Sequence, residues 1–159
     1  MAPLSLRANS TVGESSSPKA LSIEPTFEDA KFELGVALQQ LGRPSEALTI
    51  YSQLLAASPA FAPALANRGT VLKDLLRSAE AAAAYERAIR VAPRMVEAYN
   101  NLAVLAAGDL RQPERALRLV TAGRRLEPAS GASGLDWESA RGNALTSLRR
   151  LGEASVAFH

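Results

Sequence analysis

Apolar residues recur along most of the chain at intervals of three and four positions, which is the spacing of one face of an α-helix. In the first such stretch, Leu34, Leu38 and Leu41 keep this spacing and are followed by a break that contains Gly42 and Pro44. Glycine suits the C-terminal cap of a helix, and proline suits the first turn of the next one. A second amphipathic run follows the break, so the pattern predicts paired helices and an all-α fold.

The helix-turn-helix pattern returns with a step of 34 or 35 residues, which is the strongest organising signal in the sequence. Four residue series keep this step: Pro25, Pro59, Pro93 and Pro128; Gly35, Gly69 and Ala103; Ala47, Ala81 and Ala116; and Tyr51 and Tyr85. Residues 68–85 also align without a gap on residues 141–158, which adds Gly142 and Ala154 to the series. The predicted units span about residues 28–61, 62–95, 96–130 and a truncated 135–159 that stops part-way through its second helix.

The small residues of the repeat predict close packing within each helix pair, because two helices approach closely only where side chains are small. We expect Gly35 to face Ala47 and Gly69 to face Ala81. The tyrosines are then expected to fill the space between successive hairpins.

These repeated positions resemble the tetratricopeptide repeat. The first unit carries the signature as Leu34, Gly35, Leu38, Ala47, Tyr51 and Pro59, and the second as Gly69, Leu72, Ala81, Tyr85, Ala88 and Pro93. The resemblance covers about residues 27–159 and implies an α-solenoid, a right-handed superhelix of stacked antiparallel hairpins. Val120 departs from the pattern, because an aromatic residue is expected there, and Arg68 and Arg141 stand in place of a leucine.

The first 26 residues differ from the rest, since they are rich in serine and lack apolar periodicity. This composition predicts a disordered tail. No apolar stretch of secretory-signal length is present, so we expect a cytoplasmic protein, with organelle targeting by the serine-rich tail as the alternative. Residues 47–67 carry no charge but are interrupted by Pro59 and Pro63, so we do not expect a membrane span.

Composition argues against catalysis. The chain has no cysteine, and its one histidine is the terminal His159, so thiolate zinc sites, cysteine nucleophiles and a buried histidine relay are excluded. No phosphate-binding loop or metal-ligand spacing is found. We therefore predict no catalytic residue, no metal and no cofactor. The net charge of +2 is too balanced to favour nucleic acid as a partner.

The resemblance to the tetratricopeptide family implies that the first helix of each hairpin lines a concave groove that receives a peptide of a partner protein. We expect this groove to be lined by Phe32, Val36, Gln39, Asn67, Thr70, Lys73, Asn100, Asn101, Val104 and Asn143.

Some members of the family grip the acidic tail of heat-shock chaperones with a carboxylate clamp. Of the clamp positions only Asn67 matches here, because Phe32, Val36, Glu97 and Asn101 occupy the others. Binding of such a tail is therefore disfavoured.

Asn67 and Asn101 occupy equivalent places, which is similar to the asparagine ladder in the helical arms of protein O-GlcNAc transferases. Two interpretations of these residues stay open: rungs that hold a peptide backbone, or amides that satisfy a neighbouring helix or water. The leading hypothesis for the chain is a non-catalytic adaptor. The alternative is a substrate-presenting arm of a larger enzyme such as a protein O-GlcNAc transferase.

Overall fold

The computed structural model describes residues 27–127 and 135–157, with side chains up to residue 150. In this part of the chain there are seven α-helices and no strand, as the periodicity predicted. The helices are α1 Phe27–Gln40, α2 Pro44–Ala57, α3 Ala62–Asp74, α4 Ser78–Val91, α5 Val96–Ala107, α6 Pro113–Arg124 and α7 Trp137–Ala157. The predictions for residues 1–26, Pro128 and His159 lie outside the described residues.

The helices stack in sequential pairs. Helix α1 packs on α2, α3 on α4 and α5 on α6, and each pair is joined by a short turn, which makes the partners antiparallel. Each second helix also packs on the first helix of the next pair, while α1, α3, α5 and α7 contact one another in order. This arrangement, a layer of first helices backed by a layer of second helices, is the predicted α-solenoid.

The turns between paired helices share one backbone feature. Gly42 has a φ of 69° in the first turn, and the corresponding residues Leu76 and Arg111 have φ values of 60° and 51°. Glycine adopts this left-handed conformation without strain, as predicted for Gly42, whereas leucine and arginine are strained in it. The turn geometry is therefore kept even where the sequence lacks the residue that suits it.

Tyrosine rings lie directly against Gly35 and Gly69. A Cβ on Gly69 would lie 2.7 Å from Cε1 of Tyr85, and a Cβ on Gly35 would overlap the ring of Tyr51. Each tyrosine of a second helix thus lies across the glycine of its own hairpin, while the pairing of Gly35 with Ala47 and of Gly69 with Ala81 stays a prediction. In the third hairpin the buried Ala103 takes the place of the glycine and the buried Val120 takes the place of the tyrosine. The larger residue on the first helix is therefore matched by a smaller one on the second.

The fourth unit differs from the prediction, because residues 137–157 form one continuous helix and no second helix begins within them. Gly142 also differs from Gly69, since no atom lies within 4 Å of a Cβ built on it. Leu148, Arg149 and Arg150 at the expected turn are good helix formers, with no glycine or proline among them. In the second hairpin the strained turn at Leu76 is offset by the burial of α4.

The core follows the interfaces of the stack. Its largest fully buried side chains are Tyr51, Tyr85, Leu54, Leu65, Leu72, Leu102, Leu105 and Val71. Alanines fill most of the remaining buried positions, so the helices lie close together. Trp137 closes the described part of the core, because its ring packs against Gly123 of α6 and its indole N–H donates to Oε1 of Glu127 at 2.7 Å.

Candidate functional site

The first helices present a row of half-buried side chains at matching places. On α3 these are Asn67 and Thr70, and on α5 they are Asn101 and Val104, each 34 residues further on. Because the spacing of three keeps both members of a pair on one side of a helix, and the helices lie side by side, the residues form a continuous strip. We call this strip, with Val36 on α1 and Asn143 on α7, the first-helix face.

A tyrosine hydroxyl holds two amide side chains of this region. Tyr51 comes from α2 and its ring is buried, but its hydroxyl donates to Oε1 of Gln39 at 2.5 Å and accepts from Nδ2 of Asn67 at 3.3 Å. Burial raises the pKa of Tyr51, the bond from Asn67 lowers it, and the charge of Glu33 raises it. The phenol therefore stays protonated at neutral pH and links α1, α2 and α3 through their polar groups.

Tyr85 repeats this arrangement in the second hairpin. Its hydroxyl lies 3.0 Å from Oγ1 of Thr70, and either oxygen can be the donor. Burial raises the pKa of Tyr85 to about 12, with a smaller contribution from the charge of Asp74 and an opposing one from the bond to Thr70. In both hairpins the tyrosine ring packs against the glycine of the first helix, and its neutral hydroxyl forms hydrogen bonds with side chains of the first helices.

The third hairpin lacks this hydroxyl and its surroundings are correspondingly apolar. Val120 takes the place of the tyrosine, Val104 takes the place of Thr70, and Ala107 and Ala140 take the places of Gln39 and Asn67. Ala107 and Ala140 are buried. The polar strip of the first two hairpins thus gives way to small apolar side chains.

Asn100 is the buried polar residue of this region. Its side chain is 8% exposed, and its Oδ1 atom accepts no hydrogen bond from any residue that the structure describes. A buried acceptor without a donor is costly, so each such atom in a folded protein calls for an explanation. A buried water molecule commonly satisfies an atom of this kind.

A cleft of about 680 Å³ lies beyond the apolar part, between the α5–α6 turn and α7. Its walls are formed by Ala107, Gly108, Arg111, Pro113, Asn143, Thr146, Ser147 and Arg150. Both arginines are exposed, and neither forms an ion pair with a described residue. The cleft therefore combines positive charge and amide and hydroxyl groups with a floor of alanine and proline.

Two family models described as tetratricopeptide repeat match the chain, one over residues 28–61 and the other over residues 66–120. These residues are tetratricopeptide repeats. The comparison with curated protein sequences gave no match.

Solved structures share the fold of these tetratricopeptide repeats. The Sgt2 TPR domain from Aspergillus fumigatus aligns with a TM-score of 0.65 and 24% identity over 80% of this chain and 81% of that chain. The TPR2B domain of yeast Sti1, in a complex with pHsp70, aligns with a TM-score of 0.67 and 24% identity. This alignment covers 74% of this chain and 98% of that chain. The second TPR of Spaghetti (RPAP3), bound to the HSP90 peptide SRMEEVD, aligns with a TM-score of 0.59 and 19% identity. This alignment covers 63% of this chain and 92% of that chain.

Most of the residues expected in the groove lie in or beside the strip. Gln39 and Asn67 meet at one hydroxyl, and Lys73 is half-buried on the same helix as Asn67. Phe32 is placed differently. The centroid of its ring lies 5.5 Å from the ring centroid of Phe61 and 6.2 Å from that of Tyr51, so it packs in the interface between repeats. A contribution of these residues to binding stays a prediction.

Two kinds of residue in the candidate site could not be assigned to it from the sequence. Tyr51 and Tyr85 were read only as space-filling rings, and Arg111 and Arg150 were not singled out. The signal for the arginines is the one-residue insertion near Gly108, which lengthens the third turn. The signal for the hydroxyls is the joint loss of tyrosine and polar partners in the third repeat.

Within residues 27–127 and 135–157, no group of three or more histidine, aspartate and glutamate side chains is placed to hold a metal ion. No helix in these two segments is long and apolar enough to cross a membrane.

Proposed function

We propose that the first-helix face binds an extended segment of a partner protein and that the chain acts as an adaptor without catalysing a reaction. The observation that carries the proposal is the pair of amides, Gln39 and Asn67, held by the hydroxyl of Tyr51. Because Tyr51 fixes Gln39 and Asn67, these side chains lose little freedom when a ligand binds, and they keep unused donor and acceptor positions. Amide groups that both donate and accept suit a peptide backbone.

The ligands of similar domains support the same proposal. The similar domain of Sti1 is in a complex with pHsp70 and that of Spaghetti is bound to an HSP90 peptide, which supports peptide binding as the use of this fold.

The partner segment is not an acidic chaperone tail held by a carboxylate clamp. The positions that the family resemblance assigns to the clamp carry Phe32, Val36 and Asn101 without positive charge, and Glu97 is exposed and negative. A carboxylate at these positions would meet an apolar or like-charged surface.

A selection from random dodecapeptides, displayed on phage and captured by the full chain, tests the proposal. Peptides that bind the parent chain are then measured against the double variant Asn67→Ala/Asn101→Ala and the control Thr121→Ala. Thr121 is exposed on α6, and its hydroxyl donates only to its own helix, at O of Leu117.

We expect the double variant to bind the selected peptides about tenfold or more weakly, since it loses hydrogen bonds in a preorganised site. The control should bind like the parent chain. Equal affinity of the double variant, with an unchanged circular dichroism spectrum, would exclude the first-helix face as the binding surface.

The alternative, a substrate-presenting arm of a larger enzyme, depends on a longer ladder of asparagines. Asn67 and Asn101 form two rungs, but Glu33 and the buried Ala140 stand at the flanking places. We therefore keep the adaptor as the proposed function. The cytoplasmic location stays a prediction.

A further inference from the structure

We propose that the cleft between the α5–α6 turn and α7 binds a carboxylate side chain of the peptide that the first-helix face holds. The assignment of this carboxylate to a peptide rests on the proposed function. The capacity of the cleft to bind an oxyanion rests on its own residues and can be tested separately.

The arginines at the turns differ in whether a glutamate pairs with them. Arg43 donates to both carboxylate oxygens of Glu46 at 2.6 and 2.7 Å, and Arg77 does the same with Glu80 at 2.7 and 2.8 Å. Arg150 aligns with Arg77 in the repeat, yet it has no carboxylate partner among the described residues. Among the residues whose side chains the structure describes, no anion therefore competes for its guanidinium; Glu153, which aligns with Glu80, lies beyond them.

The third turn is longer than the turns of the first two hairpins. Five residues, 108–112, connect α5 and α6, whereas three residues connect the helices of each earlier hairpin. The longer turn places Arg111 at the cleft that Arg150 lines from α7. Gly108 has no side chain to fill the space between them. The third turn thus carries a positive charge at a cleft to which α7 contributes a second one.

The other residues that line the cleft supply hydrogen-bond donors and apolar surface. Asn143 and Thr146 are exposed in the cleft and can donate hydrogen bonds, while the hydroxyl of Ser147 donates to O of Asn143 at 2.9 Å. Buried Ala107 and Pro113 form an apolar floor. Guanidinium groups bind carboxylates through paired hydrogen bonds, and the apolar floor suits the methylene groups that carry them.

The cleft also continues the first-helix face in a definite order. The polar places around Gln39, Asn67 and Thr70 are followed by Val104 and Ala107, and then by the arginines. A bound segment is therefore expected to combine an acidic residue with a neighbouring small apolar residue. Neither Arg111 nor Arg150 stands at a position of the carboxylate clamp.

Anion binding is tested first, on the full chain labelled with ¹⁵N, by titration with sodium acetate and with inorganic phosphate against chloride at constant ionic strength. We expect saturable shifts of the Nε–H signals of Arg111 and Arg150 and of the Gly108 amide. The variants Arg111→Gln and Arg150→Gln should each weaken binding about fivefold or more, because each removes a charged donor. Arg118→Gln, an exposed arginine of α6 outside the cleft, is the matched control and should change nothing. Shifts of equal size at Arg118, or shifts that never saturate, would overturn the anion site.

The source of the anion is tested with three pools of nonapeptides that carry a fixed central Glu, Gln or phosphoserine and random residues elsewhere. We expect the parent chain to bind the Glu pool at least about fivefold more tightly than the Gln pool, and Arg111→Gln/Arg150→Gln to lose this preference. A stronger preference for phosphoserine would overturn the carboxylate assignment.

The same pools separate the two proposals. If Asn67→Ala/Asn101→Ala weakens all pools while the Glu preference is absent from the parent chain, this inference is wrong and the proposed function stands. If the Glu preference is present but Asn67→Ala/Asn101→Ala has no effect, the cleft is supported and the first-helix face is not.

Discussion

Gly69 has the ring of Tyr85 directly against its backbone, and a Cβ there would lie 2.7 to 2.9 Å from three ring carbons. Tyr85 is fully buried and hydrogen-bonded through its hydroxyl, so it has little room to move. Gly142 occupies the equivalent place in α7, but nothing surrounds its Cα. The same residue type at the same repeat position thus has opposite consequences.

This contrast makes a paired prediction. Gly69→Ala should lower the free energy of unfolding by about 1 to 3 kcal/mol, because overpacking exceeds the gain in helix propensity. Gly142→Ala should raise it by about 0.5 to 1 kcal/mol, because the added methyl group meets no atom and alanine favours the helix. Urea denaturation measures both values. A stabilising Gly69→Ala would mean that Tyr85 can shift at no cost.

The raised pKa of Tyr85 predicts how stability depends on alkaline pH. The folded chain keeps the phenol protonated up to about pH 12, whereas the unfolded chain releases the proton near its ordinary pKa of about 10. The stabilising contribution is therefore complete below pH 10 and is lost as the pH rises from 10 to 12. Between pH 9 and 11.5 the parent chain should lose about 2 kcal/mol more than Tyr85→Phe. Equal losses in urea titrations of the two proteins would show that the hydroxyl is not shielded from solvent.

The helices themselves could be predicted from the sequence, because their signals are local and repeated. Glycine, alanine and proline at a fixed step gave the pairs and the order of packing, and Gly42 and Pro44 gave the first turn. The continuous α7 could not be predicted this way. Its sequence aligns with α3 and the start of α4, but the turn at Leu76 exists because α4 packs on α3 and compensates the strain. Sequence similarity carries the local preference and not the compensating contacts.

The candidate site could be predicted in part for the same reason. Helical periodicity placed Asn67, Thr70 and Asn101 on one side of the first helices. The partner of Asn67 is Tyr51, which lies 16 residues earlier on a different helix and was assigned to the core from its aromatic character. The cleft depends on where a five-residue turn lies relative to α7, and no periodic pattern encodes that distance.

The stack as a whole is held by contacts between neighbours, so damage at one end should remain there. Helix α7 contacts α5 and α6 among the described helices, and Trp137 is its largest buried side chain. Trp137→Ala should release α7 and cost about 3 to 5 kcal/mol locally, while α1 to α4 keep their stability. Hydrogen exchange measured by mass spectrometry should show faster exchange in residues 137–150 and unchanged protection in residues 44–91. Loss of protection along the entire stack would mean that the chain unfolds as one unit.

The passage of Tyr51 and Tyr85 across their glycines has a consequence for how such a chain can diversify. The groups that orient Gln39, Asn67 and Thr70 belong to helices on the opposite layer of the protein. A single change from tyrosine to phenylalanine in α2 or α4 would release these side chains while leaving every residue of the first helices in place. Under the proposed function, selectivity can therefore drift through positions that the peptide does not touch, and relatives with identical first helices need not recognise the same sequence.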